Sequence, residues 1–131
     1  MKEVQERTIS DIILNNPSLI EINLAQIQKI GDQTATAIAT TWYHFSNHLT
    51  HFISPNIEIL NLSGSNVTEK GIHLILTKCN KIMELNLAAC WNIDAWTLLE
   101  ISQLPQLQSL DLTSCSVITH LRSNSNSLVN R

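Results

Sequence analysis

The sequence predicts an α/β solenoid, one array in which about four short strands alternate with helices, and three observations carry that expectation. First, a phrase recurs every 25 residues: IEILNLSGS from Ile57 to Ser65, IMELNLAAC from Ile82 to Cys90, and LQSLDLTSC from Leu107 to Cys115. Second, each copy carries aliphatic residues at its first, fourth and sixth positions with mostly polar ones between, the mark of a strand with one buried face. Third, apolar residues at helical spacing fill the stretches between copies. A fixed period of this length marks a stacked array, in which each repeat buries its apolar face only against its neighbours.

Taken in chain order, VQERTISDIILNN reads as an amphipathic helix stopped before Pro17, and residues 1–16 are expected to cap the array. A fourth strand copy follows, with Leu19, Ile22 and Leu24 inward, Ile27 at the place of the later cysteines, and Ile30 at the next inward position. From Leu19 to Ile57 is 38 residues, 13 more than the later period. The excess lies in TATAIATTWYHFSNHLTHFI, where Ala35, Ile38, Ala39, Trp42, Phe45, Leu49, Phe52 and Ile53 fall on one helical stripe. That stripe predicts one long helix, or two broken near Asn47, with Trp42 in the core; the extra residues would lengthen the helix by about 20 Å. Such an overhang would cover the N-terminal helix or offer a contact surface.

After the strand at Ile57, Thr68 is placed to cap a helix carrying Ile72, Ile75, Leu76 and Cys79. Asp94 does the same for a helix carrying Leu98, Ile101 and Leu104, which Pro105 ends. The strand at Leu107 closes a domain expected to span residues 1–120. Residues 121–131 are polar and expected to be disordered. An array ending on an exposed strand is poorly capped. That leaves three readings open: a fragment, a degenerate copy of a longer array, or self-association through that end.

Composition narrows the function. With net charge −3 and 8 scattered basic residues, the chain lacks the clustered basic footprint of a nucleic-acid binder. No apolar run of about 18 residues predicts a membrane span, and MKEVQERTISD does not read as a secretory leader. A cytoplasmic (intracellular) setting is expected, with a secreted effector as the exception. Cys79, Cys90 and Cys115 are odd in number, contain no CxxC pair, and fall partly at equivalent repeat positions. They read as small buried side chains rather than a disulfide framework or zinc site. Only Gly31, Gly64 and Gly71 are glycines, no phosphate loop or nucleophile elbow is present, and the carboxylates are dispersed. No enzymatic activity and no cofactor are expected.

The residues LxxLxLxxC around Leu85–Cys90 and Leu110–Cys115, followed by Ile93-Asp94 and Ile118-Thr119, resemble the cysteine-containing class of leucine-rich repeats found in F-box/leucine-rich-repeat proteins. The likeness runs from about Leu19 to Thr119. The copy at Ile57 departs, with Ser65 at the cysteine position and Val67-Thr68 one residue early. The resemblance implies a short curved horseshoe, with parallel strands on the concave face and helices on the convex one. It also implies a cysteine ladder beneath the turns that follow the strands, and outward strand side chains as the binding surface.

Those side chains form columns: Asn23, Asn61, Asn86 and Asp111; Glu21, Ile59, Glu84 and Ser109; Ala25, Ser63, Ala88 and Thr113. From them the expected partner surface comprises Glu21, Asn23, Asn61, Ser63, Glu84, Asn86, Ser109, Asp111 and Thr113. It is polar, mildly acidic and made of small side chains, suited to another protein or peptide. Trp91 joins it as an aromatic anchor, the alternative being packing over neighbouring turns; Trp96 has the same ambiguity. His44, His48 and His51, spaced by four and three, would share one stripe of the expected long helix, where they could hold a transition metal. No carboxylate or cysteine stands nearby to complete that site.

The favoured reading is therefore a noncatalytic protein-interaction scaffold. The alternatives are the substrate-recognition fragment of an F-box-type ubiquitin ligase, a bacterial effector acting on host proteins, and a metal-binding protein using the histidine stripe. The 18 residues before the first strand are too short for an F-box and lack its Leu-Pro opening.

Overall fold

The computed structural model describes residues 5–40, 42–44, 50–52 and 55–116. Helix α1 (Glu6–Leu14) is followed by strand β1 (Glu21–Asn23), helix α2 (Asp32–Ala39), strands β2 (Trp42–His44) and β3 (Thr50–Phe52), and strand β4 (Ile59–Asn61). Helix α3 (Glu69–Lys78), strand β5 (Glu84–Asn86), helix α4 (Ala95–Ser102) and strand β6 (Ser109–Asp111) complete the order. The architecture is α/β. A four-stranded parallel sheet runs β1-β4-β5-β6, and β2 and β3 form a separate antiparallel pair. Among the described residues no helix is long and apolar enough to cross a membrane.

The sheet is in register from end to end. Glu21, Ile59, Glu84 and Ser109 form one row, Ile22, Leu60, Leu85 and Leu110 the next, and Asn23, Asn61, Asn86 and Asp111 the third. A period-two strand sends the middle row to the core and the other two to the opposite face. Exposure follows: Ile22 is 5%, Leu60 1% and Leu85 3% exposed, and Leu110 is 42% exposed on the last strand. Leu110 has a neighbouring strand on one side only, and among the described residues no strand pairs with the far edge of β6. Leu62, Leu87, Ile30, Ile82 and Cys90 fill the space between sheet and helices.

The helices pack in series, α1 on α2, α2 on α3 and α3 on α4. Carboxylates join the first two junctions. Glu6 on α1 accepts from the Gly31 and Thr34 amides, both at 2.9 Å, and from the Thr34 hydroxyl at 3.1 Å, so it caps the start of α2 from a different helix. Asp32 on α2 accepts from the Thr68 amide at 2.8 Å and the Thr68 hydroxyl at 2.5 Å at the start of α3. Thr68 does occupy the N-cap of α3, but its side chain makes no capping bond to its own helix, because the hydroxyl turns to Asp32 instead. Asp94 caps α4 as expected, through the Thr97 amide at 2.9 Å.

The long helix expected after Thr34 does not form. α2 ends at Ala39, and the chain turns into the β2–β3 pair, with Trp42 opposite Phe52, Tyr43 opposite His51 and His44 opposite Thr50. Thr40-Thr41-Trp42-Tyr43 and Thr50-His51-Phe52 are rich in β-branched and aromatic residues, which favour a pleated backbone. That local preference outweighs the helical spacing of the apolar residues around it. The expectations for the Trp42 side chain, for Ile118 and Thr119, and for the tail 121–131 fall outside what the structure describes.

Candidate functional site

Each strand of the parallel sheet leaves through the same turn. The Asn23 side-chain oxygen accepts from the Ala25 amide at 3.1 Å, Asn61 from Ser63 at 3.0 Å, Asn86 from Ala88 at 2.9 Å, and Asp111 from Thr113 at 2.9 Å. These are Asx turns, in which a short polar side chain stands in for a backbone acceptor. Three residues beyond each Asn or Asp, the backbone enters the left-handed region: Gln26, Gly64, Ala89 and Ser114 have φ of 64°, 70°, 56° and 61°. Only Gly64 takes that conformation without Cβ strain. The ladder continues through these turns, since Gln26, Gly64 and Ala89 donate to the carbonyls of Ser63, Ala88 and Thr113 after the next strand of the sheet.

The buried thiols lie behind the same turns. Cys90 Sγ–H donates to the Leu62 carbonyl at 3.3 Å and Cys115 Sγ–H to the Leu87 carbonyl at 3.0 Å, each reaching back to the residue that follows the preceding strand of the sheet. Ser65 Oγ lies 3.9 Å from Cys90 Sγ. All three cysteines are free and buried. Burial pushes the Cys79 thiol up from 9.0 to about 12, and raises Cys90 and Cys115 as well. Protonated, enclosed thiols are poor nucleophiles. The folded protein at pH 8 is therefore expected to label with a thiol reagent far more slowly than the urea-unfolded chain, and fast labelling of native protein would contradict this packing. Above pH 9 the native Cys79 keeps a proton that the unfolded chain loses. Stability is thus expected to be fully present below about pH 9 and to fall as the pH climbs towards 12.

On the outward face of the sheet, Glu21, Asn23, Glu84 and Ser109 are exposed, and Ile59, Asn61, Asn86 and Asp111 are half-buried. Together they line a shallow cavity of about 350 Å³. Thr113 is also exposed. Ser63 is not: it is 7% exposed, and so is a buried residue rather than a surface one. The Asn and Asp column keeps a place on the face, but one side-chain oxygen of each is already engaged in holding a turn. The Asp111 carboxyl is held below the usual carboxylate range by the Thr113 hydroxyl and amide. This structural duty was missed in the sequence, although four Asx residues in register, each two before a turn amide, would have signalled it.

Trp91 is 71% exposed, so it does not pack over the neighbouring turns. The helical placement expected for the histidines does not form. His44 lies on β2 and His51 on β3, at different rungs of an antiparallel pair rather than along one helix, and His48 falls outside the described residues. Among the described residues no group of three or more His, Cys, Asp or Glu could hold a metal ion.

Fold and surface together define an α/β protein with an open, carboxylate-bearing parallel sheet face. The sequence matches no protein-family model, and no curated protein matches it.

Proposed function

We propose that the chain is a short leucine-rich-repeat solenoid acting as a noncatalytic protein-binding module, and that the outward sheet face docks a basic, extended segment of another protein. The observation that carries this reading is the cavity along the two outward rows of the sheet. Glu21, Glu84 and Asp111 bring three carboxylates to it, and no Lys or Arg lines it. A face of one charge sign raises the local concentration of an oppositely charged partner and rejects others. The solenoid part of the reading is supported by the turn that repeats after each strand and by the Sγ–H bonds that reach back one repeat.

A random peptide library displayed on phage tests the proposal. Selection against the folded protein is expected to enrich sequences rich in Lys and Arg. The double variant Glu84→Lys, Asp111→Asn is expected to weaken their binding at low salt by at least about tenfold. Asn at position 111 keeps the oxygen that accepts from Thr113, so the turn survives while the charge is lost. Enriched peptides that bind the variant as tightly as the parent would count against the sheet face.

A further inference from the structure

The helix side departs from its own pattern at one junction. α1 presents Glu6 to the start of α2, and α2 presents Asp32 to the start of α3; each carboxylate is met there by N–H and hydroxyl donors. At the next junction three carboxylates share the groove instead. Glu69 opens α3 and Asp94 opens α4, and Asp94 draws its donors from Thr97 of its own helix. Glu69 is exposed in the first turn of α3. The groove between the two helices encloses about 280 Å³, lined by Glu69, Lys70, His73, Asp94, Trp96 and Glu100. His73 Nδ1 meets Glu100 Oε1 across it and fixes that carboxylate in place.

One wall of this acidic groove is aromatic and open to solvent. Trp96 is 74% exposed, and Leu99, three residues on and on the same side of α4, is 51% exposed. An indole beside three carboxylates and a single lysine is matched by a planar cation. A guanidinium stacks on the aromatic face and turns its N–H fork to carboxylates, whereas an ammonium does only the second well.

We propose that this α3/α4 groove seats an arginine side chain of a partner protein, flat against Trp96 and facing Glu69, Asp94 and Glu100. The groove shares no lining residue with the cavity on the sheet, and the proposal does not rest on the sheet-face reading.

The test is an NMR titration of the Trp96 indole N–H, assigned by its loss in Trp96→Phe, with capped hexa-arginine, hexa-lysine and hexa-glutamate peptides as probes. Hexa-arginine is expected to shift that resonance saturably, hexa-lysine more weakly and hexa-glutamate not at all. The double variant Glu69→Gln, Glu100→Gln is expected to weaken the hexa-arginine response about tenfold, while Glu84→Lys, Asp111→Asn leaves it unchanged. The proposal is overturned if hexa-arginine gives no saturable shift, if hexa-lysine matches it, or if the Glu69→Gln, Glu100→Gln variant binds as well as the parent. Both variants alter side chains at least partly open to solvent, and a circular-dichroism melt of each confirms the fold in which the titration is read.

Discussion

Leu85→Ala is expected to lower the free energy of unfolding by about 2–5 kcal/mol, measured by urea denaturation. Leu85 sits at the middle of the inward row, with Leu60 on one side and Leu110 on the other, and is 3% exposed. Truncation removes apolar contact with both neighbouring strands and leaves a cavity that in-register backbones cannot close. Leu110 occupies the same row at the last strand but is 42% exposed. Leu110→Ala is expected to cost less than half as much, because less apolar area returns to water. Equal effects at the two positions would mean that the row does not face a core.

Gly71→Ala is expected to destabilise the protein by about 1–3 kcal/mol even though it places a better helix former in the first turns of α3. In an exposed helix the change would stabilise by about 1 kcal/mol. Here the added methyl would collide with a carboxylate oxygen of Asp32, and would stand 2.7 Å from Val67 Cγ1 and 3.0 Å from the Ala35 Cβ. None of these can retreat easily. Val67 and Ala35 are buried, and Asp32 is held by the amide and hydroxyl of Thr68. Relief would break a charge-assisted bond worth about 1.5–3 kcal/mol, which outweighs the gain in propensity. A rise in the urea midpoint would show that α2 and α3 are not clamped as described.

What could be read from the sequence was what local periodicity encodes. The rows through Leu60, Leu85 and Leu110 and the helices at Glu69 and Ala95 each satisfy one period over several residues, and the 25-residue spacing placed them in register. The β2–β3 pair was not legible in that way. Its apolar residues also fit a helical stripe, and only the density of Thr, Trp, Tyr and Phe argued for strands. The carboxylate clamps were hidden for a different reason. Glu6 meets Thr34 and Asp32 meets Thr68 across 28 and 36 residues, separations that no local pattern reports. The candidate surface was half legible. Strand alternation put Glu21, Glu84 and Ser109 outside, but it could not reveal that the Asn and Asp column holds turns, or that Ser63 is buried.

The claim that the outward sheet face is the docking surface is tested most directly by an amide chemical-shift map recorded with a peptide selected from the library. The expected result is that the largest changes fall on Glu21, Asn23, Ile59, Glu84, Ser109 and Asp111, with helices α1 and α2 nearly unmoved. A map centred on the helices, with those six amides unchanged at saturation, would contradict it.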